Sequence, residues 1–96
     1  MTVVILGRIE SAWVAGFAAH LRRRDLTVIA LESVGVVGFL LHSQRIGTLV
    51  IHEAEAPVGW ERLQARCEEL APATRILRVT RDDARSLDQL ADAMTP

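Results

Sequence analysis

Residues 2–7 read TVVILG, a strand-length run of β-branched and aliphatic side chains closed by a glycine. An unbroken apolar run of this kind predicts a strand covered on both faces, as in the middle of a parallel sheet, whereas a strand with one wet face alternates. Downstream the period changes. Ser11 is placed to cap a helix in which Trp13, Val14, Phe17, Ala18 and Leu21 recur at helical spacing, and Arg22, Arg23 and Arg24 fall at its C-terminal end, where the helix dipole favours cations. Leu26 to Leu31 predicts a second strand. Residues 34–44 carry no charge, and Val34, Val37, Leu40 and Leu41 keep helical spacing in spite of Gly35 and Gly38. Ile46 to His52 predicts a third buried strand, and Pro57 then leads into a helix whose Trp60, Leu63, Cys67, Leu70 and Ala71 share a face until Ala71-Pro72 ends it. In Arg75 to Thr80 the arginines 75 and 78 stand among Ile76, Leu77 and Val79, with Arg81 following, the pattern of an edge strand protected by charge. Ser86 to Met94 predicts the last helix.

Four strands alternating with four helices across short loops specify an α/β fold with a mainly parallel sheet and right-handed crossovers. A hydrophobic first strand and a charged last one fit the strand order 2-1-3-4, a three-layer, flavodoxin-like arrangement one β-α unit short. At 96 residues, half of them hydrophobic and 24% charged, residues 1–96 are expected to form a single domain with a core of its own.

The composition excludes several chemistries. All eleven basic residues are arginine, so no lysine is available for a Schiff base or a phosphate loop. Eleven basic against twelve acidic residues leave a net charge of -1, too little to attract nucleic acid or anionic lipid, so neither is an expected partner. Cys67 is the only cysteine, and no charged-then-apolar leader opens the chain; a cytoplasmic protein is expected. His20, His42 and His52 lack ligand spacing and Gly7 stands alone after the first strand, so neither a metal nor a nucleotide cofactor is expected. Residues 26–44 carry only Glu32 as a charge, but that charge is central and two glycines intervene, so no membrane span is expected.

In an open α/β sheet, ligands bind beyond the carboxyl ends of the strands at the switch point between the first and third. Here Arg8, Glu10, Glu32, His52, Glu53, Glu55, Thr80, Asp82 and Asp83 gather on that rim, and their carboxylates could in principle hold a divalent cation. One functional expectation is therefore a small enzyme or ligand-binding subunit using Glu10, Glu53 and Glu55, with His52 carrying a proton.

The stretch from Leu49 to Thr80, LVIHEAEAPVGWERLQARCEELAPATRILRVT, resembles the middle of a response-regulator receiver domain. Glu53 stands where that family has its phosphorylated aspartate, Pro57 follows four residues later, Gly59 precedes the next helix and Thr80 closes the fourth strand. The resemblance implies a receiver that has lost its chemistry. Gly7, Arg8 and Ile9 replace the acidic pair that holds magnesium, the lysine is missing, and Glu53 resembles a permanently charged mimic of the modified residue. Arg8, Glu10, Glu53 and Thr80 would form the remnant pocket, with Arg8 as counter-ion to Glu53.

The other expectation is a non-catalytic signalling or protein-interaction module. Ser11 to Leu21 carries no full charge, and Ala12, Ala15, Gly16 and Ala19 form a ridge of small residues on the side away from the presumed core. A receiver-like fold covers one sheet face with its first and last helices, so a shortened chain is expected to leave that face half bare. Val36 and Phe39 on the second helix add apolar surface. Association through Ala12, Ala15, Gly16, Ala19, Val36 and Phe39, with another copy in a homo-oligomer or with another protein, is the expected consequence.

Overall fold

The structure is a computed structural model and describes residues 2–43 and 46–94; Gln44, the end of the uncharged run, lies outside them. Its elements are β1 (Thr2–Leu6), α1 (Ala12–Arg22), β2 (Thr27–Leu31), α2 (Val34–Ser43), β3 (Thr48–His52), α3 (Trp60–Leu70), β4 (Arg75–Val79) and α4 (Leu87–Met94). The strands form one sheet in the order β2-β1-β3-β4, and every pairing is parallel. This is the expected flavodoxin-like layout.

Alternation along β1 explains why its run contains no polar position. Val3 and Ile5 enter one core with Val14, Phe17, Ala18 and Leu21 of α1, while Val4 and Leu6 enter a second core with Val37 and Leu41 of α2 and Leu63 and Cys67 of α3. Since both faces are covered, both must be apolar. The crossover from β1 to β2 runs opposite to those from β2 to β3 and from β3 to β4, which sends α1 to one face and α2 with α3 to the other.

The expected half-bare face does not exist. Leu90, Ala91 and Met94 of α4 are buried beside α1 in the first core, against Leu77 and Val79 of β4. After β4 the chain turns back through α4 to the α1 face, and α4 supplies the second cover. Its start is fixed by a reciprocal cap: the Gln89 amide donates to Ser86 Oγ at 3.2 Å and the Ser86 amide to Gln89 Oε1 at 2.8 Å.

Both open edges of the sheet carry an arginine. The Gly7 amide donates to Leu31 O at 2.9 Å, so alternate residues of β2 face β1 and Val28 and Ala30 direct their backbone groups outward. Arg22 Nη2 donates to that outward Val28 carbonyl at 3.1 Å. On the far side the Arg75 amide donates to Gly47 O and the Glu53 amide to Val79 O, which turns Ile76 and Arg78 outward. There Arg85 Nη2 donates to Arg78 O at 3.3 Å. Arg22, expected only to favour the α1 dipole, also blunts a sheet edge.

Leu70 departs from the expected buried face of α3. It is 46% exposed, although Cys67 in the same turn is buried in the second core and Ala71 packs against it.

Candidate functional site

The switch point lies where β1 and β3 end side by side. Gly7 follows β1 there because a Cβ would approach Val14 Cγ2 to 2.9 Å and Glu55 Cβ to 3.4 Å. The glycine thus admits Val14 of α1 close against the end of β1, with the β3–α3 loop in contact beside it. Beside it remains an open cleft of ≈ 380 Å³ lined by Arg8, Glu32, Glu55, Ala56, Pro57 and Val58, adjoined by a smaller one at Arg8, Glu10, Ser11 and Glu55.

Three carboxylates of this rim, Glu32, Glu53 and Glu55, face donors of the protein itself. Glu32 Oε1 accepts from the Ile9 amide at 2.8 Å, and Glu55 lies 3.8 Å from Arg8 Nε. Glu53, the residue expected to pair with Arg8, instead faces Arg78, whose Nη2 and Nε approach its Oε1 at 2.6 and 3.0 Å. The register explains this: Ile51 pairs with Arg78 across β3–β4, which brings the Arg78 side chain to the β3 side of the rim, whereas Arg8 leaves β1 toward Glu55. Arg78 also stacks over the Trp60 ring at 4.7 Å from its centroid, so one guanidinium ties β4 to both the rim and the start of α3.

Thr80 is exposed just past β4, where its carbonyl accepts from the Asp83 amide at 3.2 Å. Glu10 is exposed before α1. Asp83 belongs to a separate contact: Arg85 Nη2 lies 2.7 Å from its Oδ2, and the Arg85 side-chain and backbone N–H groups hold its carboxyl down to about 2. His52 accepts the Ala54 amide on Nδ1 at 3.1 Å and packs on Trp13, ring centroids 4.5 Å apart. That amide uses the imidazole lone pair a proton carrier would need. Among the described residues, no three His, Cys, Asp or Glu side chains converge as metal ligands, and no helix is long and apolar enough to cross a membrane.

Ala12, Ala15, Gly16 and Ala19 lie on the outer side of α1, and Val36 and Phe39 on the outer side of α2. The sheet separates the two groups, because α1 and α2 cover opposite faces. They form two surfaces, not one. The α2 surface carries the larger side chains: Phe39 is 68% exposed and Val36 46%. It continues into a groove of ≈ 340 Å³ between α2 and α3, lined among others by Val34, Gly35, Gly38, Arg62 and Arg66. The sequence singled out neither arginine. Their spacing of four residues on a helix otherwise recognised by its apolar face was the available signal.

Cys67 is fully buried in the second core, and burial, with Glu68 adding, pushes its thiol up. It is placed as packing, not as a nucleophile.

The chain matches no protein-family model and no curated protein.

Proposed function

We propose that this chain is a non-catalytic protein-interaction module, a receiver-like signalling scaffold acting in the cytoplasm without phosphoryl transfer. Its contact surface is the outer side of α2, and its partner is another copy or another protein. The observation that carries this reading is the exposure of Val36 and Phe39 beside an open interhelical groove, in a domain whose two sheet faces are already covered. The rim carboxylates favour it over the enzyme alternative, because Glu53 and Glu55, two of the three that alternative uses, each face an arginine of their own chain, while Glu10 is exposed. The remnant pocket is accordingly a structural tie in which Glu53 anchors Arg78.

The test is photo-cross-linking with benzoylphenylalanine in place of Phe39, and at exposed Arg81 as a control, in the cells that make the protein, joined to sedimentation equilibrium of the purified chain. A protein adduct specific to position 39 is expected. Its absence overturns the reading. A monomeric wild type removes the homo-oligomer and leaves the partner as another protein; a dimer broken by Phe39→Glu but not by Ala15→Glu assigns self-association to α2.

A further inference from the structure

We infer that the α2–α3 groove receives an acidic, amphipathic helical segment of a partner protein, which deepens the reading above and depends on it. Three local choices along this groove oppose the stability of the domain, and all three open onto the same space. Gly38 lies inside α2, where glycine is less favourable than alanine, yet a Cβ built there would meet only Leu63 Cδ1 at 3.9 Å, an ordinary contact. Gly35, in the first turn, would place its Cβ 3.6 Å from Ser33 Oγ, again without a clash. Neither has a positive φ, so among the described residues neither close packing nor backbone conformation requires glycine at these positions.

Across the groove, Arg62 and Arg66 stand one turn apart on α3, an arrangement of like charges that weakens a helix. Neither makes an ion pair among the described residues. A groove lined by Gly35 and Gly38 with Val34, Phe39 and Leu63, and bordered by His42 and by two guanidinium groups that make no ion pair among the described residues, is complementary to apolar side chains bordered by carboxylates. Helical spacing of such residues would seat the apolar stripe on the glycines and aim Asp or Glu at the arginines.

The probe is a displayed library of helical peptides selected against the intact protein, with phosphatidylserine vesicles as a separate arm. Selected peptides are expected to carry apolar residues at i, i+3 or i+4 bordered by Asp or Glu, and the double variant Arg62→Glu, Arg66→Glu should weaken them about tenfold or more. Gly38→Leu should abolish binding by filling the groove. Gly38→Ala serves where that variant fails to fold, and it should raise the melting temperature by roughly 2–8 °C while weakening the peptides. Peptides without acidic enrichment, indifference to charge reversal, binding to vesicles alone, or a lower melting temperature in Gly38→Ala would each overturn the inference. Cross-links at position 39 combined with such a failure would leave the interaction module standing with a different occupant.

Discussion

Arg78 grips a single oxygen of Glu53 through two of its N–H groups, Nη2 at 2.6 Å and Nε at 3.0 Å. The same guanidinium covers Trp60, so removing it loosens β4, the rim and α3 together. Arg78→Ala is expected to lower unfolding free energy by about 1 kcal/mol in urea titration, a modest value because the side chain is 48% exposed. Arg8→Ala, whose contact with Glu55 is looser and more exposed, should change it by less than about 0.5 kcal/mol.

Two glycines should answer in opposite directions. Gly16→Ala adds a methyl group to the interior of α1 with nothing within 4 Å of it, and is expected to stabilise the domain by about 0.5–1 kcal/mol. Gly7→Ala forces the Val14 side chain away and should destabilise it by about 1–3 kcal/mol. Thermal melts of the two variants measure both.

Most of the fold was legible because each strand and helix declares itself locally. TVVILG gave a doubly covered strand, Ser11 a cap, and Arg75 with Arg78 an edge. The cover over the α1 face was not legible, since no pattern in Leu87–Met94 says which side of the sheet the helix will choose; that emerges only when Leu90, Ala91 and Met94 meet the α1 core. The rim residues were legible as a group but not as pairs. Whether Glu53 meets Arg8 or Arg78 depends on the register of β3 against β4, which emerges only from the assembled sheet.

Cys67 should resist alkylation by iodoacetamide in the native state and react readily in urea. Its thiol is raised in the folded protein, so the folded state retains the proton longer than the unfolded one. The resulting stability is full below the unfolded value and declines as pH rises past about 9.0 toward the folded one. Chemical denaturation across this range should show that decline, and Cys67→Ala should reduce it.

The Asp83 carboxyl should titrate near 2 by carbon NMR, and Arg85→Ala should return it toward 3.8. A carboxyl lowered on folding contributes stability that is present above its unfolded value and lost as pH falls through the folded one. The contribution of this contact should therefore disappear between about pH 4 and pH 2.

Thr48 is wholly buried in β3, and its Oγ1 finds no hydrogen-bond partner among the described residues. Thr48→Val keeps the branched shape and removes the unsatisfied hydroxyl, so a gain of about 1 kcal/mol is expected in urea titration.

Arg22 and Arg85 act as stoppers at the two margins of the ribbon, each occupying a carbonyl that a foreign strand would need for docking. An incoming segment must first evict a guanidinium on whichever side it arrives. Strand-by-strand growth, which has no natural end and leads to fibres, is thereby opposed at both margins.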